Sequence, residues 1–305
     1  MLTGRTRLIP ILGHPVVHVR APEFINPVFV EKGFDGFVVP LHVRPEDLGV
    51  VLAMLSKLDN VAGVILTIPH KEAAARLCHD LEPDGALVGA VNALRFAPGG
   101  RFVGNIFDGQ GLVRACADAR IELAGRRVLL IGAGGAGRAI AFAFARAGAV
   151  GLTIANRTAA RAISLANEVA RAVPASGAAA GEADPRGFDV VVNCTSLGLR
   201  AEDALPCDPA AFAPGQKVID IIAVRDTEWM ASARGRGCRV IGGRPMVEGQ
   251  IAAHRFLCGG PAAKGSRVAL VKGGVVSFDR RTSRYSSPGA RAARLPFSEL
   301  ARSAH

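Results

Sequence analysis

Short apolar runs alternate with stretches of three-to-four-residue hydrophobic spacing along most of the chain. Residues 7–12, 36–41 and 61–67 read as strands, and residues 23–32, 45–58 and 72–81 as the helices between them. Pro27 sits awkwardly near the start of the first helix, and residues 18–22 read as a loop before it. This alternation predicts a small parallel α/β layer. A probable hairpin follows, with arms at 93–96 and 101–104 around Pro98-Gly99-Gly100. Asp108 then lies in a glycine-flanked loop, and a helix over 112–120 leads to a second alternation, so a domain boundary is expected near Gly111. There the strands fall at 128–131, 151–155, 189–192, 217–222 and 239–241, with helices at 138–147 and 161–173 and a last helix at 246–257.

The second alternation opens on VLLIGAGGAGRA, residues 128–139. A strand apolar on both faces runs straight into G-x-G-x-x-G and then an alanine-rich helix. Gly132 permits the tight turn, Gly134 lets backbone approach a pyrophosphate, and Gly137 lets helix pack close on strand. Gly135 and Ala136 complete the loop at the helix N-terminus, where free N–H groups and the helix dipole favour phosphate. The alternative is a merely tight structural turn. About twenty residues on, an NAD enzyme carries an Asp or Glu for the ribose hydroxyls. Here Asn156-Arg157-Thr158 stand at the strand end and Arg161 one turn further. Two guanidinium groups suit the 2′-phosphate of NADP; solvated arginines at a helix start are the bland reading.

Composition narrows the class. The 305 residues suit about two domains, and half are hydrophobic. No apolar stretch reaches the roughly twenty residues of a membrane span, and the N-terminus lacks a signal-peptide pattern. Six scattered cysteines without C-x-x-C or zinc spacing fit a reduced, cytoplasmic protein with no structural metal. The formal charge of +11 is unevenly placed: from Pro261 on, nine basic residues face two acidic ones, so that region carries +7 and the rest only +4. Charge is therefore a poor argument for a nucleic-acid partner. The region 261–305, rich in Arg, Ser, Gly and Pro, is expected to be disordered and dispensable.

Lys71 and Asp108 are the acid–base candidates, since a lysine that exchanges a proton with a hydroxyl needs a carboxylate to position it. From the residues alone each is as readily a surface charge. His14, His18, His42, His70 and His79 fall at no metal-ligand spacing and read as satisfied or exposed. Cys194 has no base in view and reads as buried packing.

Taken together these segments resemble the shikimate dehydrogenase family, from about residue 11 to 258. The family's G-x-P-x-x-H-S-x-S-P is met by GHPVVHVRAP at 13–22, N-V-T-x-P-x-K by ILTIPHK at 65–71, and G-A-x-N-T by GAVNA at 89–93. N-T-D-G-x-G is met by IFDGQG at 106–111, followed by the glycine loop, the N-R-T clamp, NCTSLG at 193–198, and Gly243, Met246 and Gln250. The resemblance implies two α/β domains, an N-terminal substrate-binding domain (1–111 with 244–260) and a Rossmann-type NADP-binding domain (112–243), with the active site in the cleft. It implies Lys71 and Asp108 as the catalytic pair, with Thr67, Asn92 and Gln250 binding substrate hydroxyls. Gly132, Gly134, Gly135, Ala136, Gly137, Asn156, Arg157, Thr158, Arg161, Thr195, Ser196 and Gly243 would hold NADP. Such an enzyme of aromatic amino acid biosynthesis would take a small-molecule substrate and no nucleic-acid or membrane partner, as a monomer or homodimer.

The departures all remove polar groups. Val19 and Ala21 replace the two serines that hold the substrate carboxylate, Ile65 an asparagine, Ile106-Phe107 an N-T pair, and Ala223 a tyrosine. A buried carboxylate without partners is costly, so Arg20, between the lost serines, is a candidate replacement. Ile65 and Phe107 are expected to add apolar surface beside the same pocket. These losses predict that shikimate is a poor substrate. They leave open quinate or a less polar cyclic hydroxy compound, and also a non-catalytic NADP-binding sensor.

Overall fold

Two six-stranded sheets, each flanked by helices, organise the chain in the computed structural model. Described are residues 2–31, 33–250, 253, 256 and 257, all within one compact unit, Met1–Ala262. The basic region 261–305, expected to be disordered and dispensable, lies outside the described residues.

The first sheet is built from β1 (Arg7–Gly13), α1 (Ala21–Glu31), β2 (Gly36–His42), α2 (Leu48–Leu55), β3 (Gly63–Leu66), α3 (Lys71–Leu77), β4 (Asp80–Leu81), α4 (Pro83–Val88), β5 (Ala93–Ala97) and β6 (Arg101–Asn105). Its strand order is β2-β1-β3-β5-β6-β4. β1 shows why the apolar runs form inner strands. Ile9 and Ile11 point to one side, against Ile25 and Phe29 of α1, and Leu12 points to the other, against Leu48 and Leu52 of α2. Burying both faces requires an almost continuous apolar strand.

β1, β2 and β3 form the expected parallel layer, and the expected hairpin β5–β6 joins the same sheet, with β5 antiparallel to both β3 and β6, so the sheet is mixed. The link between β5 and β6 is a three-residue turn, Pro98–Gly100, far too short for a parallel crossover. Element bounds shift for similar local reasons. α3 stops at Leu77, not 81, because Asp80 and Leu81 pair with Val103 and Gly104. Pro45–Asp47 form a 3-10 turn ahead of α2, and α2 ends at Leu55. α1 already starts at Ala21 and keeps Pro27 inside, where burial of Ile25 and Phe29 outweighs the hydrogen bond proline cannot make.

The second sheet follows with α5 (Asp108–Asp118), β7 (Arg127–Ile131), α6 (Gly135–Arg146), β8 (Val150–Ala155), α7 (Ala159–Ala172), β9 (Ala179–Ala180), β10 (Val190–Asn193), β11 (Lys217–Asp220), α8 (Glu228–Gly235), β12 (Arg239–Ile241) and α9 (Arg244–Glu248). Its order is β12-β11-β10-β7-β8-β9, with every pairing parallel. Along β7, Val128 and Leu130 pack with Leu112, Ile140 and Phe144, while Leu129 and Ile131 pack with Trp229 and Phe212. The chain leaves β7 toward β8 and returns on the other side as β10. A topological switch point therefore lies beyond the ends of these strands, where open α/β sheets bind ligands.

Asp108 is not in a loop. It begins α5, and Gly111 lies inside the same helix. The glycines that suggest a loop are there for close approach. A Cβ on Gly109 would stand 2.3 Å from the Ala139 carbonyl oxygen of α6, and one on Gly111 2.5 Å from the Met246 carbonyl oxygen of α9. The last helix, expected over 246–257, is interrupted: α9 ends at Glu248, Gly249 and Gln250 lie outside it, and the described residues 253, 256 and 257 are again helical. A Cβ on Gly249 would stand 2.5 Å from the Gly111 carbonyl oxygen, so the chain turns where it crosses α5.

Candidate active site

A cleft of about 630 Å³ runs between the C-terminal edges of the two sheets. On the first-sheet side, Lys71 is the opening residue of α3 and Asp108 that of α5. Lys71 Nζ donates to Asp108 Oδ2 at 2.5 Å, and the carboxylate is almost wholly shielded from water. Asp108 Oδ1 accepts from Asn92 Nδ2 at 2.9 Å and from Gln250 Nε2 at 3.1 Å. Asn92 Oδ1 accepts from the Phe107 N–H at 3.0 Å, which fixes the amide so that its NH₂ faces the carboxylate. A buried carboxylate is tolerable only when paired and hydrogen-bonded; a cation and two amides meet that demand. Residues more than a hundred positions apart are thus held in one network, with one side of the lysine open to the cleft. Thr67 lines the cleft beside them.

On the second-sheet side stands the glycine loop. Gly132 has φ +115°, and a Cβ on Gly137 would stand 2.0 Å from the Gly132 carbonyl oxygen, so helix and turn fit only without side chains. A Cβ on Gly134 would meet nothing within 4 Å, leaving the backbone open toward the cleft. The Ala133 N–H donates to Asn156 Oδ1 at 3.0 Å, tying the loop to the end of β8. Gly135, Ala136, Arg157, Thr158, Arg161, Thr195 and Ser196 also line the cleft. An open glycine-loop backbone at a helix start, with two arginines beyond the next strand, fits a dinucleotide carrying a further phosphate on its ribose.

Some expected site residues stand elsewhere. Gly137 and Gly243 do not line the cleft; a Cβ on Gly243 would stand 2.1 Å from the Ile221 carbonyl oxygen, so its bareness serves packing. Phe107 is buried against Phe256 and Ile106 lies in the core, so neither adds apolar wall to the pocket, whereas Ile65 does. Val19, Ala21 and Ile25 form the apolar end with it. Arg20 borders the cleft but is half-exposed and paired with Glu23 at 2.5 Å.

The histidines are not uniformly satisfied or exposed. His70 Nε2 donates to the Val43 carbonyl oxygen at 2.9 Å, while its Nδ1 and the His18 Nε2 are buried without partners. Burial pushes the proton affinity of both rings down. Cys194 is buried under the glycine loop and burial pushes its thiol well up, consistent with packing. Among the described residues no group of three or more His, Cys, Asp or Glu could hold a metal ion, and no helix is long and apolar enough to cross a membrane.

One residue of the cleft wall escaped the sequence reading. Glu72, directly after Lys71, pairs across the cleft with Arg161 at 2.5 Å. Nothing in the spacing relates positions 72 and 161; only adjacency to Lys71 points to Glu72.

The fold and site define a two-sheet α/β protein whose dinucleotide loop faces a buried lysine–aspartate pair. Residues 11–94 match the shikimate dehydrogenase substrate binding domain and residues 115–199 the shikimate / quinate 5-dehydrogenase family. Shikimate dehydrogenase (NADP(+)) of Moorella thermoacetica is 40% identical over 251 residues, 79% of this chain and 84% of that one. The crystal structure of shikimate dehydrogenase from Aquifex aeolicus superposes with a TM-score of 0.75 at 28% identity, covering 85% of this chain and 95% of that one. Shikimate 5-dehydrogenase of Thermus thermophilus, solved in complex with NADP(H) and shikimate, gives 0.73 at 32%, covering 83% and 94%. The chain belongs to the shikimate dehydrogenase family.

Proposed function

We propose that the chain catalyses reversible, NADP-dependent oxidoreduction between shikimate and its 3-dehydro ketone. The observation that carries this is the Lys71–Asp108 pair facing the glycine loop across one cleft. When bound, NADP supplies the hydride acceptor or donor at its nicotinamide ring. Lys71 Nζ takes the proton of the reacting hydroxyl in oxidation and returns it to the developing alkoxide in reduction. Asp108 holds that amine in place, and Asn92 and Gln250 hold Asp108. Arg157 and Arg161 would hold the 2′-phosphate. Residues 1–111 with 244–260 would form the substrate domain and 112–243 the cofactor domain of a cytoplasmic enzyme, monomeric or homodimeric.

Shikimate is favoured over quinate or a less polar compound because relatives at 35–40% identity are named for shikimate. Val19 and Ala21, in place of two hydroxyl donors, should still make shikimate a poor substrate by kcat/KM, showing as a raised KM, since hydrogen bonds to a charged group are worth roughly 1.5–3 kcal/mol each. The intact Lys71–Asp108 network speaks for a catalyst rather than a sensor. The test is turnover of shikimate with NADP⁺ followed by absorbance of the reduced cofactor. Wild-type turnover is expected, and Val19→Ser with Ala21→Ser should lower the KM for shikimate about a hundredfold. No turnover of shikimate by the wild type would refute the assignment.

A further inference from the structure

Arg157 and Arg161 face the same stretch of the cleft, but their surroundings differ. Arg157 makes no ion pair among the described residues, whereas Arg161 Nη2 is held by Glu72 Oε1 at 2.5 Å. Glu72 belongs to α3, on the first-sheet side, and Arg161 to α7, on the second. Both side chains are partly solvated, so the pair is weak enough to be exchanged. A phosphate that takes Arg161 would meet the Glu72 carboxylate as a like charge at hydrogen-bonding range of the same guanidinium.

We propose that Glu72 competes with the cofactor's 2′-phosphate for Arg161 and so sets how strongly the protein discriminates NADP from NAD. The inference rests on the reading of Arg161 as a 2′-phosphate ligand. Ligand that needs Arg161 binds only the fraction of molecules in which Glu72 has let go, and its apparent affinity falls by that fraction. Ligand without a 2′-phosphate does not need Arg161 and is indifferent to Glu72. Glu72 is thus a specificity-determining residue that never touches the reacting atoms.

The test is calorimetric binding of adenosine 2′,5′-bisphosphate and of 5′-AMP to the full chain. At low ionic strength Glu72→Gln should tighten the bisphosphate about two- to fivefold and leave 5′-AMP unchanged, and the gain should shrink in high salt. In an Arg161→Ala background the same substitution should change neither ligand, because the competition has no object. Unchanged bisphosphate affinity in Glu72→Gln would overturn the inference. Weaker affinity would do so too, since Glu72 would then be orienting Arg161 for the phosphate. A wild type that binds both nucleotides equally would overturn the 2′-phosphate reading itself, a result distinct from either.

Discussion

At the scale of single residues, the site is one carboxylate and what surrounds it. Asp108 has three side-chain donors, and only Lys71 among them carries a transferable proton. Lys71→Ala should therefore lower kcat by roughly 10²–10⁴, the usual worth of a positioned acid–base. Its NADP⁺ affinity should stay near wild type, because the lost amine belongs to the first-sheet wall of the cleft. Equal kcat in variant and wild type would remove Lys71 from the reaction. Asn92 acts differently. Asn92→Ala strips one donor from Asp108 and leaves the Phe107 N–H unpaired in the core. An unsatisfied buried group costs about 1–3 kcal/mol, so denaturant unfolding should show a loss of that size together with reduced kcat.

At the scale of elements, the glycines of α5 decide where Asp108 stands. Gly109 lets the helix touch the α6 backbone; besides Ala139, its Cβ would meet the Ala143 Cβ at 2.7 Å. Gly109→Val should cost about 1–3 kcal/mol by overpacking, lowering Tm by several degrees, and should also depress kcat by shifting the start of α5. A stable variant with full activity would show that α5 and α6 need not approach this closely. These glycines also mark the limit of sequence reading. The strand–loop–helix of the glycine motif was legible because local spacing alone fixes it, and the ordered motifs from Gly13 to Gln250 carried the family. Gly109 and Gly111 suggested a loop because a glycine required by a neighbour 30 or 135 residues away looks like one required by a turn. The same blindness hid Glu72, whose partner is 89 residues on. Phe107 was placed in the pocket because sequence says which residue neighbours Asp108, not which way its side chain points.

At the scale of the whole molecule, Asp220 links stability to pH. It is fully buried at the end of β11 and accepts from Asn193, Thr227 and the Ile222 N–H. Burial is the larger influence and pushes its carboxyl from 3.8 up to about 6. Between those pH values the folded protein holds a proton that the unfolded chain has released. Stability from this group is therefore fully present below about pH 4 and declines as pH rises through about 6, in total by about 3 kcal/mol at 1.36 kcal/mol per decade of proton affinity. Asp220→Asn keeps an acceptor for Asn193 and offers an amide to the Thr227 hydroxyl. Relative to this variant, wild-type stability should fall between pH 4 and 7, whatever the constant offset. Parallel stability curves over that range would exclude Asp220 as the titrating group.

The contact of α5 with α6 carries one more consequence, for recombination between relatives. The helix that begins with Asp108 is pressed on the backbone of the helix that follows the glycine loop. The half of the chain that carries the second sheet is therefore not a cassette that can be exchanged at Gly111. A chimera joined there inherits Asp108 from one parent and the Ala139–Ala143 surface from the other, and the aspartate comes to rest wherever those two surfaces settle. A junction placed after Asp118 leaves the same mismatch, because α6 still changes hands. Productive hybrids of this fold should be those whose parents share the small residues at positions 109 and 143, irrespective of how similar the rest of their sequences is.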